Sequence, residues 1–244
     1  MSLNNKNPKV SIIIPSYQEE KYIENTLKSL RNQDFKDEFE IIVVDGNSKD
    51  KTAKIARRYA DKVIVSRRRG IALQRNLGAK LARGEILLFI DADTFLWYNG
   101  LKEIVKAFEE DGVIGATCPL LPSSPKLYTL LYYSIYNQFC KSSLKTKPQV
   151  AGGVVAYRKD AFFRVNGFNE KLKMLEDFDL SERISKLGKI KFVETTFAIT
   201  STRRLEKWGL INGPLKYLFI YFLYIFTNGR IPRSVGVRMY KPIR

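Results

Sequence analysis

Two carboxylates, Asp91 and Asp93, stand on either side of Ala92 directly after the apolar run at residues 85–90. Acids at that spacing can share a divalent cation and present it to a diphosphate, where it neutralises charge and stabilises a leaving group. The same residue types also close turns, their oxygens taking up loose backbone groups. The chain has no His at all, so the commonest general base and the commonest transition-metal ligand are missing. Carboxylates must then carry any acid–base work, and an oxygen-rich site suits Mg²⁺ or Mn²⁺ better than Zn²⁺. A second acidic pair, Glu176-Asp177, opens a helical stretch. One of these carboxylates can take the proton from an attacking hydroxyl, and both are also favoured there by the helix dipole.

Other residues could hold the rest of a phosphorylated ligand. Asp45 ends an apolar run and can accept from a base imide or amino group, or cap the next helix, a job Ser48 or Asp50 could also do. Arg67-Arg68-Arg69-Gly70 precedes a helical segment, where cations and free N–H groups together suit phosphate; a solvated basic face is the plainer role. Arg75 lies one turn into that segment and can hold the same ligand or pair with surface acids. Gly152 and Gly153 would let backbone approach a bound sugar closely, or mark a bulge.

These residues need a frame. Residues 10–14, 40–44, 62–66 and 85–90 are short, β-branched or apolar runs, as buried parallel strands are. Between them, residues 21–32, 50–59 and 71–81 carry apolar side chains at helical spacing. Alternation of this kind predicts an α/β fold with a mostly parallel, Rossmann-like central sheet flanked by helices. Ligands bind such sheets beyond the carboxyl ends of the strands, where Pro15, Tyr17, Glu19, Asp45, Asp91 and Asp93 fall together. Further on, the pattern predicts helices over 101–110, 127–140, 160–165 and 176–187, and strands over 112–119, 152–157 and 191–200. A C-terminal amphipathic helical extension follows. The expected division is a flexible N-terminus at 1–8, one domain at 9–205 and a helical segment at 206–244.

Composition bounds the partners. Lys and Arg number 42 against 25 Asp and Glu, a net charge of +17, which favours polyanions: nucleic acid, an anionic membrane surface or phosphorylated small molecules. Cys118 and Cys140 are far apart, which points to a reducing, cytoplasmic setting without a disulfide framework. The polar N-terminus does not read as a signal peptide. The longest apolar run, residues 217–226, has ten residues, short of the roughly 18 a spanning helix needs. Aromatic and bordered by Lys216, Arg230 and Arg233, it suits a helix lying in a membrane interface, and residues 127–139 look similar; core helices or an oligomer contact would explain both as well. An interfacial position would make the protein peripheral at the inner face of the cell membrane.

Taken in order, Val10-Ser-Ile-Ile-Ile-Pro-Ser-Tyr-Gln-Glu-Glu20, Ile41-Ile-Val-Val-Asp-Gly-Asn-Ser-Lys-Asp-Lys-Thr52, Arg69-Gly70 with Gln74-Arg75-Asn76, Phe89-Ile-Asp-Ala-Asp93 and Glu176-Asp177 resemble family 2 glycosyltransferases of the GT-A fold. The resemblance runs from about residue 10 to 187. It implies an inverting transferase that moves a sugar from a UDP-, GDP- or dTDP-sugar to a hydroxyl or phosphate acceptor, with a polyprenyl phosphate or glycolipid among the candidate acceptors. Carried onto this chain, Pro15, Tyr17 and Glu19 would border the nucleotide pocket and Asp45 would contact the base. Arg69 and Arg75 would serve the donor. Asp91 would reach the ribose or the metal, and Asp93 would ligate Mn²⁺ or Mg²⁺ bridging the diphosphate. Gly152 and Gly153 would line the sugar and acceptor site. Asp177 would be the general base, with Glu176 the alternative. Arg203 and Arg204, in the region after the last strand, would hold donor or acceptor phosphate.

The chain departs from that pattern in three places. Many members carry two acids where this chain has Asp45-Gly46. Some add a His to the metal, which here must be water or another oxygen. The Gln-x-x-Arg-Trp signature of processive members is missing, which argues against a polymerising synthase. Two rivals remain at this stage: a basic nucleic-acid-binding module, for which no recognition motif appears, and a non-catalytic scaffold on the same fold. A nucleotidyltransferase would need a Gly-rich basic loop where Pro15-Ser16-Tyr17-Gln18-Glu19 stands.

Overall fold

A computed structural model describes residues 7–150, 153–172, 174–209 and 212–227. Gly152, residues 1–6 of the expected flexible N-terminus, and residues 228–244 with Arg230 and Arg233 lie outside the described residues.

The β-branched runs form the strands expected of them. Strands β1 (Val10–Ser16), β2 (Phe39–Asp45), β3 (Lys62–Val65) and β4 (Ile86–Ile90) alternate with helices α1 (Ile23–Arg31), α2 (Thr52–Ala56) and α3 (Ile71–Leu81). After β4 come β5 (Thr94–Leu96), α4 (Gly100–Lys106), β6 (Val113–Thr117), β7 (Leu120–Pro122), α5 (Leu127–Ser143), β8 (Val154–Arg158) and α6 (Lys159–Arg164). The chain continues through α7 (Glu176–Ile184), β9 (Lys189–Phe192), β10 (Ala198–Thr200), α8 (Arg203–Trp208) and α9 (Asn212–Phe226). The main sheet has the order β3-β2-β1-β4-β8-β6-β9, and β8 alone runs against its two neighbours. Strand order reverses direction between β1 and β4, which makes their carboxyl ends the crevice of the sheet.

Successive side chains of each strand point to opposite faces, and both faces are covered. Ile12, Ile14, Ile41, Val43 and Leu88 pack with Ile23, Leu27 and Leu30 of α1 on one side. Ile13, Ile42, Val44, Leu87 and Phe89 meet Ala72 and Ala79 of α3, Phe162 of α6 and Leu180 and Ile184 of α7 on the other. Helix α3 lies so close to β1 that a Cβ on Gly78 would stand 2.5 Å from Ile13 Cγ2. Gly78→Ala is therefore expected to destabilise the fold by about 1–3 kcal/mol, the usual range for overpacking, against the gain an exposed helical site would show; urea denaturation measures it.

The structure corrects the sequence reading in the second half. Residues 191–200, read as one strand, are two: β9 joins the main sheet, and β10 leaves it to pair with β5 and β7 in a separate three-stranded sheet. Residues 112–119 likewise end at β6, and β7 begins anew beyond Pro119. Helix α2 is also shorter than the expected 50–59; it starts at Thr52, whose N–H and hydroxyl both donate to the Asp50 carboxylate, and ends at Ala56. The expected boundary at 205/206 falls inside α8. Both cysteines are buried, and the Cys140 thiol donates to the Gln149 carbonyl at 3.2 Å.

The Leu127, Leu131, Ile135 and Phe139 stripe of α5 faces outward, with Leu127 84% and Ile135 63% exposed. It is not core. Among the described residues, no helix is long and apolar enough to cross a membrane.

Candidate active site at the carboxyl rim

Beside the crevice between β1 and β4, side chains tie the carboxyl ends of β1 and β2 together and form a floor. Gln74 of α3 is buried and donates through Nε2 to the carbonyls of Ser16 and Val44, at 2.8 and 2.7 Å. Asp45 is buried at the end of β2, where it accepts from the Ser48 N–H (2.8 Å), the Ser48 hydroxyl (2.5 Å) and the Ser16 hydroxyl (3.2 Å). Its carboxylate thus organises the β2 turn. Pro15 is buried in β1 beside Val44. Above this floor the Arg69 guanidinium lies 4.3 Å over the Tyr17 ring, a flat cationic–aromatic pair at the open side of the rim.

Asp91 and Asp93 leave β4 in different directions, each toward a guanidinium. Asp91 Oδ1 accepts from Arg75 Nη2 at 2.8 Å, and its backbone N–H reaches the Gly153 carbonyl at 3.2 Å. That contact brings the start of β8 against the acidic turn, and a Cβ on Gly153 would strike Leu120 at 2.8 Å. Asp93 Oδ2 lies 3.1 Å from Arg203 Nη2. Arg203 also grips Glu19 through both terminal nitrogens, at 2.7 and 2.6 Å, and stacks over Tyr22 at 4.6 Å. Burial pushes the Asp93 carboxyl up to about 7, with Asp91 and Glu19 adding to the rise and Arg203 opposing it.

Arg75 is the hinge pin of the site. It is 1% exposed, and while Nη2 holds Asp91, Nη1 holds Glu176 at 3.0 Å; its plane packs on Phe168 at 5.2 Å. Glu176 is buried, and burial together with the neighbouring Asp177 charge raises its carboxyl to about 7 against the pull of Arg75. Asp177 is only half-buried, and its Oδ1 accepts from the Phe178 N–H at 2.9 Å. Both acids follow Leu175, a non-glycine residue at φ 58, a left-handed conformation that tertiary packing has to impose. Earlier in the same loop Asn76 fixes Phe168: its side chain donates to the Phe168 carbonyl at 2.9 Å and accepts from the Phe168 N–H at 2.9 Å.

The structure therefore gathers Glu19, Asp91, Asp93, Arg75, Arg203, Glu176 and Asp177 into one connected set, with Gly153 alongside. Tyr17 and Arg69 form a separate pair at the open side. Arg204 stacks on Trp208 at 5.6 Å and still lies near enough for its charge to act on the Asp93 carboxyl. Sequence reading offers Ser48 as a cap and places Gln74 and Asn76 within a motif, but it gives Gln74 and Ser16 no role of their own in the site. Gln74 had one local signal, a polar residue on the small-residue face of α3 that Ala72 and Gly78 mark as inward.

The donor set suits a hard cation. Among the described residues no three acids, cysteines or histidines cluster tightly enough to hold a metal by themselves. Mg²⁺ and its like commonly take one or two carboxylates and fill the remaining positions with water and phosphate oxygens. Asp93, with Asp91 nearby, offers that partial set, and the guanidinium on Asp93 shows that the carboxylate accepts a positive charge where it stands.

Comparison with known proteins agrees with this geometry. Residues 11–198 match the family model described as Glycosyl transferase family 2. Over 109 residues the chain is 38% identical to the poly(ribitol-phosphate) beta-N-acetylglucosaminyltransferase TarS of Staphylococcus aureus, covering 42% of this chain and 19% of that protein. It is 29% identical over 225 residues to the uncharacterized glycosyltransferase YfnE of Bacillus subtilis, covering 90% of this chain and 52% of the relative. The chain thus spans less than two thirds of these relatives. Among solved structures it resembles the mannosyltransferase PcManGT from Pyrobaculum calidifontis in complex with GDP-Man and Mn²⁺, with TM-score 0.70, 22% identity, 96% of this chain and 69% of that one. It also resembles S. aureus TarS 1-349 in complex with UDP-GlcNAc, with TM-score 0.66, 21% identity, 95% of this chain and 70% of that one. These likenesses show the fold, which is GT-A.

Proposed function

Because the chain belongs to glycosyl transferase family 2, we propose that it moves a hexosyl group from a nucleoside diphosphate to an acceptor oxygen, with inversion and with Mn²⁺ or Mg²⁺. One observation carries the reading: Arg75 ties the acids at the end of β4 to the acids at the start of α7. The group that would meet the diphosphate and the group that would meet the acceptor are thereby held in one rigid unit. The named ligands of the solved neighbours, UDP-GlcNAc in one and GDP-Man with Mn²⁺ in the other, support a nucleotide-sugar donor and a divalent cation.

In this reading Tyr17 and Arg69 flank the base, and the buried Asp45 turn sets the floor beneath it. Asp93, assisted by Asp91, would hold the cation, which when bound supplies positive charge to the departing diphosphate. Arg203 neutralises Asp93 and Glu19 until then, and it is placed to turn to the phosphates. The acceptor oxygen attacks the anomeric carbon from the face opposite the diphosphate. As its bond to carbon forms, Asp177 takes its proton and the bond from carbon to the diphosphate oxygen breaks. Hydroxyl or phosphate acceptors fit this scheme alike. The acceptor we favour is lipid-linked, of the polyprenyl-phosphate or glycolipid kind, for the reason developed below.

Thermal melting against a panel of UDP-, GDP- and dTDP-sugars with and without Mn²⁺ tests the donor half. One donor is expected to raise Tm only when Mn²⁺ is present, and no response from any of them would sink the reading. Asp93→Asn is expected to weaken that donor response at least about tenfold, as loss of a metal-bridged phosphate contact does. Its effect on the ligand-free protein has the opposite sign. A folded-state carboxyl raised from 3.8 to about 7 favours the fold fully below the lower value and loses that contribution as pH rises through the higher one. Asn removes the burden, so above neutral pH the ligand-free variant is expected to melt higher than the parent.

A further inference from the structure

Two helices leave apolar faces uncovered among the described residues, and the helices meet. On α5, Leu131 and Ile135 are 59% and 63% exposed. On α9, Leu218, Phe222 and Phe226 are 49%, 48% and 82% exposed, spaced four apart along one side of the helix. The opposite side of α9 is anchored: Tyr224 is buried with Leu172, Met174 and Leu175, and Tyr221 meets the Phe178 ring at 6.3 Å. Tyr221 also meets Phe139 of α5 at 6.2 Å and accepts from Gln149 Nε2 at 2.8 Å. The two helices are thus joined at Phe139 and Tyr221 and tied to the protein, each with an apolar face exposed.

Charge decides what covers them. Lys126 just before α5 and Lys141 within it are exposed and paired with Glu206 and Glu194, and Lys145 stands exposed just past the end of α5. Lys216 of α9 lies over the Trp208 ring at 5.2 Å with Arg204 on the same ring at 5.6 Å. A Trp flanked by cations beside apolar faces is the composition of a membrane–water interface. A second copy of a chain carrying +17 would bring like charges together around these faces, whereas an anionic surface would meet opposite ones. Among the described residues neither helix is long and apolar enough to cross a bilayer, so contact would be in the plane of the interface.

We propose that the outer faces of α5 and α9 together form a docking surface for an anionic lipid bilayer. Because Tyr221 and Tyr224 pack on Phe178, Met174 and Leu175, this surface lies directly behind the start of α7, and Asp177 is held close to the lipid headgroups. The proposal goes beyond the transferase reading and its test needs neither donor nor turnover, so the two stand or fall separately.

Flotation of the full chain with phosphatidylcholine vesicles and with vesicles that also contain phosphatidylglycerol tests it. Binding is expected to the anionic vesicles, and to weaken as salt is raised without vanishing. The double variant Ile135→Gln/Phe222→Gln alters exposed side chains only, so it is expected to fold, with unchanged Tm. It should bind the anionic vesicles about tenfold or more weakly, since two apolar side chains no longer leave water. Absence of binding to either vesicle overturns the proposal. So does binding that the double variant leaves unchanged, which would be attraction by net charge alone. Sedimentation equilibrium without lipid closes the remaining case: a dimer that the same variant dissociates would make the faces a contact between copies.

Discussion

Asp177→Asn is expected to lower the rate of sugar transfer about 10²- to 10⁴-fold, the range for loss of a positioned general base, while donor-induced stabilisation in melting stays as in the parent. The two acids at the start of α7 do different work, and the structure tells them apart. Glu176 is buried with its carboxylate on Arg75, so it has neither access to an acceptor nor freedom to move. Asp177 is half-buried, so part of it is open to solvent. Single-turnover rates on the two variants discriminate: Glu176→Gln keeps Asp177 and its rate should fall less, while its stability changes. The reverse ranking, an inert Glu176→Gln enzyme with Asp177→Asn near the parent, would move the base to Glu176. The pH profile offers a second check. Glu176 is raised to about 7 partly by the Asp177 charge, so Asp177→Asn should lower the pH at which Glu176 titrates.

Arg75→Met should destabilise the protein by about 3–5 kcal/mol, the cost of leaving buried charges without their partner. Arg75 is almost wholly out of water, and its removal strands Glu176 inside and frees Asp91. Met matches the volume and keeps the contact with Phe168, which isolates the charge. Urea denaturation should show the loss shrinking toward low pH. Without the guanidinium the Glu176 carboxyl rises further, so below its ordinary range both folded and unfolded states hold the proton and the penalty disappears; as pH rises through the raised value the penalty returns in full. Adding Glu176→Gln to Arg75→Met should recover part of the stability at neutral pH. A loss that is equal at all pH values would mean that packing, and not charge, is what Arg75 contributes.

Local pattern revealed the strands that matter most because their burial is written as β-branched runs: Val10–Ser16, Phe39–Asp45 and Ile86–Ile90 are buried along nearly their whole length. It also put the acids of β4 and the β1 turn on one rim, since parallel strands bring their carboxyl ends together. Pairings across long sequence distance were not legible. Nothing near Arg203 signals that it will hold Glu19, 184 residues earlier, and nothing near Arg75 says that an arginine will be buried. Its only trace is position, three residues after Ala72 and three before Gly78 on the packed face of α3. Strands β5, β7 and β10 have three residues each, too few for any periodicity to show. The stripe of α5 left its surroundings open for a different reason: a helix face that meets lipid or a partner has the same apolar spacing as one that meets a core.

Arg203 is the first residue of α8, and α8 leads into α9. The Arg203 guanidinium on Glu19 and Asp93 is therefore one mooring of the C-terminal helices, beside those made by Tyr221 and Tyr224, and whatever displaces it slackens that mooring. If donor uptake shifts Arg203, then seating the helices on a bilayer must alter donor affinity by the same factor by which donor alters bilayer affinity, since equilibrium coupling between two binding events is reciprocal. Measuring either one would give the other.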